Sequence, residues 1–195
     1  MMRRFAVVPV VVAMLAPVAH AASWEIDPAH TTVEFSIRHM TVSNVRGTFD
    51  KVVGTATADE TDLTKSTILA TIETASVNTR NDKRDEHLRS ADFLDVAKYP
   101  GMVFKSKKIE KGKDGHWNVT GDLTLHGVTK EVVLDVEGPT PSVKDPMGKT
   151  RAGAHVTTTL KRTDFGIVYN KTLETGGLML GDDIAVSIDV EATQK

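Results

Sequence analysis

Cysteine is absent from all 195 residues, which excludes disulfide staples, thiolate nucleophiles and cysteine-ligated metals in one step. Stability must then come from the apolar core alone. No run reaches the roughly 18 consecutive apolar residues of a membrane-spanning helix. An excess of one charge is lacking too: 24 Lys and Arg stand against 26 Asp and Glu, a balance that does not suggest nucleic acid as a partner. The histidines at 30, 39, 87, 116, 126 and 155 form no HExxH pair or other familiar metal spacing. GxSxG, GxGxxG and the Walker phosphate loop are all missing. Neither a metal nor a cofactor is expected, and no two carboxylates stand out as a hydrolytic pair.

What is present begins with a leader. Arg3 and Arg4 precede an apolar run from Phe5 to Val18 and the small-residue pattern Ala19-His20-Ala21, the layout of a secretory signal peptide. Cleavage after Ala21 is expected, leaving one domain over residues 22–195 with a formal charge of −4 instead of −2. The implied location is outside the cytoplasmic membrane.

Beyond the leader, apolar and polar residues alternate with period two in segment after segment, as in strands buried on one face. Val33, Phe35 and Ile37 alternate with Glu34, Ser36 and Arg38. Val119, Leu123 and Leu125 lead into a turn at His126-Gly127, and Val132, Leu134 and Val136 return, so the pair reads as a hairpin. Val156, Thr158 and Leu160 suggest another strand, and Ile184, Val186, Ile188 and Val190 close the series. One stretch alone reads as helix, from about Asn81 to Asp95, with Asn81 or Asp82 as cap and Asp85 placed to pair with Arg89. Strands in sequence with little helix predict an all-β antiparallel barrel or sandwich. The pattern does not choose between them.

Within that frame the apolar candidates for a core or a ligand-lined lumen are Val33, Phe35, Ile37, Phe49, Ile72, Leu88, Phe93, Phe104, Leu123, Leu125, Phe165, Ile184, Val186 and Ile188. Filling a core and lining a cavity require the same burial, and the residues do not separate the two. Arg80, Lys83, Arg84, His87 and Arg89 form the densest cationic cluster. It reads either as a phosphate grip, since arginine offers a bidentate fork, or as a solvated helix face balanced by Asp82, Asp85 and Glu86. Arg38 and His39 end an alternating strand, so one of them points inward. The head-group candidates are therefore Arg38, His39, Arg84 and His87. His30, after Asp27-Pro28-Ala29, reads as the fixture of a turn, and the lysines at 105, 107, 108, 111 and 113 as an exposed hairpin.

Seven ordered blocks carry a resemblance to a known family. They include Trp24-Glu25-Ile26-Asp27-Pro28-Ala29-His30-Thr31, Arg84-Asp85-Glu86-His87-Leu88-Arg89-Ser90-Ala91-Asp92-Phe93-Leu94-Asp95, Gly121-Asp122-Leu123-Thr124-Leu125-His126-Gly127 and Lys161-Arg162-Thr163-Asp164-Phe165-Gly166-Ile167. The chain resembles the YceI-like polyisoprenoid-binding periplasmic proteins over essentially its whole length after the leader. The resemblance implies a lipocalin-like, eight-stranded antiparallel β-barrel with a short helix near one end. It also implies an apolar lumen for an isoprenoid chain, a periplasmic location and a homodimer. The function expected is binding and carrying, or sequestering, a polyprenyl phosphate or quinone without chemistry on it. Competing readings are an enzyme acting on a bound lipid and a structural protein whose lumen is filled by side chains.

Overall fold

A computed structural model describes residues 21–195, apart from residues 60 and 175. The leader expected at residues 1–21 lies outside the described residues except for Ala21, which opens the first strand. Twelve strands and one α-helix follow. In chain order the strands are β1 (Ala21–Ile26), β2 (Thr32–His39), β3 (Ser43–Phe49), β4 (Val52–Asp59), β5 (Thr67–Glu73), β6 (Val77–Asn78), β7 (Gly101–Lys111) and β8 (Trp117–Leu125). Then come β9 (Val128–Glu137), β10 (Val143–Lys144), β11 (Thr150–Lys161) and β12 (Leu180–Gln194), while α1 (Asp82–Arg89) lies between β6 and β7. No helix among the described residues is long and apolar enough to cross a membrane.

Pairing resolves these strands into eight staves of a closed antiparallel barrel. One edge of β12 pairs with β11 along Arg151–Lys161. Its other edge pairs first with β2 and then with β1, so β1 and β2 form a single stave broken at residues 27–31. The neighbouring stave is broken likewise, because β2 pairs with β3 and β1 with β4. β5 and β6 make the third, after which β7, β8, β9 and β11 follow in order. Closure leaves few exposed edges to pair with other chains, and it settles barrel over sandwich.

Local chemistry explains the turns and irregularities. The expected hairpin at His126-Gly127 is a two-residue connection with both residues at positive φ, 52° and 74°, as a type I′ turn requires. Gly127 is obligatory there, since a Cβ would lie 2.4 Å from the Tyr99 ring. In β7 a bulge between Ser106 and Lys108 shifts the parity of the strand, so Met102 and Phe104 before it and Ile109 after it are all buried. Lys107, pushed outward, bonds Asp122 at 2.8 Å and Glu131 at 3.1 Å.

The helix is shorter than its sequence reading. Asn81 caps it, accepting the Arg84 N–H at 3.0 Å, but α1 stops at Arg89 because Ser90 is extended. From there the chain folds into turns, with Leu94 N–H donating to Leu88 O and Asp95 N–H to Ser90 O. These turns bury Phe93 and Leu94 at one end of the barrel. The expected Asp85–Arg89 pair does not form. Asp85 is buried and accepts from the Thr79 N–H at 2.9 Å and from the Thr79 hydroxyl. Arg89 instead donates to the carbonyls of Ala75 and Val77, both at 2.8 Å.

Candidate functional site

Most inward-facing side chains of β12 and β2 are only half-buried, including Phe35, Ile37, Ile184, Val186 and Ile188. Apolar residues that point into a closed barrel yet keep accessible surface imply that the barrel is hollow. The lumen is a cavity of about 950 Å³, near the upper end of the size usual for small-molecule sites, about 300–1,000 Å³. On β12 its lining runs from Leu180 to Ala192, about 40 Å of extended strand. With the tilt usual in barrels this gives a slot about 30 Å long.

One end of the slot lies against α1 and the turns after it. The other lies against β1 and the start of β8, where Trp24 and Trp117 line the wall. Small residues give the far half its width: Ala56 and Ala58 on β4, and Ala152, Gly153 and Ala154 on β11.

The residues expected to line a lumen fall mostly on this wall. β2 contributes Val33, Phe35 and Ile37, and β12 contributes Ile184, Val186 and Ile188. Leu123 and Leu125 come from β8, Phe104 from β7, Ile72 from β5 and Phe49 from β3, while Leu88 of α1 and Phe93 close the α1 end. Phe165 is different. It sits on a single 3₁₀ turn, is 2 % exposed, and belongs to the packed cluster that includes Val77, Leu94 and Ile167, so it supports the wall and does not face the cavity.

Of the four head-group candidates, His39, Arg84 and His87 line the α1 end. Arg38 does not. Alternation along β2 turns it outward, where it is exposed and bonds the Thr41 carbonyl and the Asn44 side chain. His87 is exposed at the rim, pairs through Nε2 with Asp92 at 2.7 Å, and packs edge-on against Phe93 and Tyr169. Arg84 spans inward from α1, with Nε donating to Thr79 Oγ1 and Nη2 to Thr79 O, both at 2.7 Å.

Sequence reading passed over one cation in this end. Arg162 is 4 % exposed and lines the cavity. Its Nε donates to Gly181 O at 2.9 Å, and its Nη1 to Ile167 O at 2.7 Å and Tyr169 O at 3.0 Å. The signal was available, because Val156, Thr158 and Leu160 line the cavity and Arg162 continues their parity.

A second charged cluster sits where β1 meets the ends of β11 and β12. Asp27, His30 and Glu191 are close enough together to hold a cation, but Arg151 supplies the positive charge there. Its Nη1 lies 2.6 Å from Asp27 and 2.5 Å from Glu191, and its Nε 2.7 Å from Asp145. His30 fixes the turn through a 2.9 Å bond to Asp27, as its position after Pro28-Ala29 suggested.

Comparison with known proteins places this geometry. A UPF0312 protein of Staphylococcus aureus is 40 % identical over 166 residues, 85 % of this chain and 94 % of the relative. The Campylobacter jejuni YceI protein superposes with a TM-score of 0.68 at 37 % identity, covering 82 % of this chain and 90 % of that one. Two more distant structures share the fold. BcnA of Burkholderia cenocepacia has a TM-score of 0.72 at 21 % identity, covering 86 % of this chain and 99 % of that one. A polyisoprenoid-binding domain from Saccharophagus degradans has a TM-score of 0.64 at 16 % identity, covering 88 % and 98 %. The YceI-like domain model matches residues 24–192, and this chain belongs to the YceI-like family.

Proposed function

We propose that this protein holds a long isoprenoid lipid, of the polyprenyl phosphate or quinone type, along the axis of its barrel and carries or sequesters it unchanged. The observation that supports this reading most is the slot itself: narrow, about 950 Å³, and lined almost wholly by aliphatic and aromatic side chains. An empty apolar cavity of that size leaves its lining without packing partners on one side. A slender hydrocarbon supplies them and gains about 25 cal/mol per Å² of apolar surface removed from water, less the cost of ordering a flexible chain. The Saccharophagus degradans relative binds a polyisoprenoid, and the shared barrel supports carrying that ligand class over. The leader-like segment supports action outside the cytoplasmic membrane.

The test is native mass spectrometry of protein purified from a bacterial periplasm, followed by organic extraction of the bound material. An adduct with the mass of a prenyl lipid, released intact by solvent, is the expected result. Protein that stays free of ligand after incubation with both a prenyl phosphate and a quinone would sink the reading. A lipid returned chemically altered would sink its non-catalytic part.

A further inference from the structure

Arg162 poses an electrostatic problem that no described residue solves. It is 4 % exposed, all three of its hydrogen bonds go to neutral backbone carbonyls, and no carboxylate among the described residues lies within 4.0 Å of it. A cation withdrawn from water without a counter-charge is costly. The contrast with Arg151, which has three carboxylates, shows how this same fold treats a guanidinium that needs only neutralising.

The remaining geometry says where a counter-charge belongs. Nη2 of Arg162 donates to no acceptor among the described residues, and no fully enclosed side-chain nitrogen among them lacks a partner. That nitrogen therefore keeps accessible surface, and Arg162 is one of the residues that line the cavity. Arg84 lines the same end, its Nη1 has no partner among the described residues, and it is linked to the Asp85 carboxylate only through the Thr79 hydroxyl. The two histidines at this end, His39 and His87, bring no negative charge, and His87 already faces Asp92; Glu34, farther along β2, is exposed.

We infer that the α1 end of the lumen is an anion subsite, in which Arg162 and Arg84 bind the phosphate of an anionic prenyl lipid while its hydrocarbon occupies the slot. The inference rests on the lipid-holding reading and narrows it from isoprenoids in general to those with a negatively charged head. The chemistry fits, because guanidinium nitrogens left over after backbone bonding offer directed, charge-assisted hydrogen bonds to phosphate oxygens. It also explains why Arg162 is bonded so fully to carbonyls, which fix the fork and leave one nitrogen aimed at the ligand.

Isothermal titration of the full-length processed protein with geranylgeranyl monophosphate and with geranylgeraniol provides the test, since the two share one chain and differ only in the phosphate. The wild-type protein should bind the phosphate on the order of tenfold more tightly than the alcohol. In Arg162→Gln and in Arg84→Gln that ratio should collapse toward one. Arg162 also ties together three backbone segments, so its variant requires a matching thermal melt. Arg84→Gln removes no bond within the strands and decides the matter if Arg162→Gln fails to fold. Equal wild-type affinities for the two ligands, or a ratio that survives Arg84→Gln and a folded Arg162→Gln, would overturn the anion subsite and leave the apolar slot standing. Failure of both ligands to bind would overturn the subsite and the lipid reading together.

Discussion

Arg151 ties three chain segments that meet at the far end of the barrel from α1. Its hydrogen bonds, followed by that of His30, hold the Asp27 carboxyl well below its ordinary value of 3.8, and the same guanidinium lowers Asp145. A carboxylate depressed in the folded state contributes stability that is fully present above its unfolded value and lost as pH falls through the folded one. Arg151→Met should therefore lower the melting temperature most near neutral pH, where the Asp27 and Asp145 carboxylates are left without the guanidinium. The deficit should shrink as pH drops below about 3.8 and the carboxyls protonate. Melts of wild type and variant across that range check the trend, and a deficit that widens on acidification would contradict it. Residues of this kind are partly legible in sequence. Parity separates His39 from Arg38 and, taken two steps past Leu160, finds Arg162. It cannot show that Arg151 has three acids or that Arg162 has none among the described residues, because such partners come from segments far away in the chain.

At the scale of elements, α1 is held by its cap and by Asp85 more than by an apolar face. Asn81 satisfies the Arg84 N–H, and Asn81→Ala should cost about 1 kcal/mol of helix stability. Because α1 carries Arg84, His87 and Leu88 to the cavity, the loss should appear as faster hydrogen exchange in residues 82–89 and in the turns after them. The β8–β9 hairpin amides should keep their protection, and equal acceleration in both would refute this local reading. β2, β8, β9, β11, β12 and the His126-Gly127 turn were readable because alternation and positive-φ residues are local signals, whereas β7, read as an exposed lysine hairpin over residues 105–113, is a single strand through Lys111. The end of α1 was not: Leu88, Phe93 and Leu94 suit a helix to residue 95, but burying the last two in the barrel end requires the chain to turn at Ser90. The breaks in the first three staves were equally hidden, since only pairing across the sheet shows that β1 and β2 share one edge of β12.

For the molecule as a whole, alternation gave antiparallel strands with one apolar face but neither their closure into a barrel nor its hollowness, because a sandwich, a filled core and an empty lumen all require the same inward apolar face. Hollowness shows only in three dimensions, in the small residues of β4 and β11 and in the half-buried state of Phe35, Ile37 and Ile184. The placing of the two tryptophans in this chain has a consequence of its own. Both Trp24 and Trp117 line the end of the slot opposite α1, so a lipid whose head rests near Arg84 reaches them only if its tail runs almost the full length of the barrel. The protein thus carries a built-in ruler. In a series of prenyl lipids of rising length, short members should bind without altering tryptophan emission. Beyond a threshold length the tail displaces water from both indoles and emission should move to shorter wavelength, whereas a shift already complete with the shortest ligand would place the head at the tryptophan end instead.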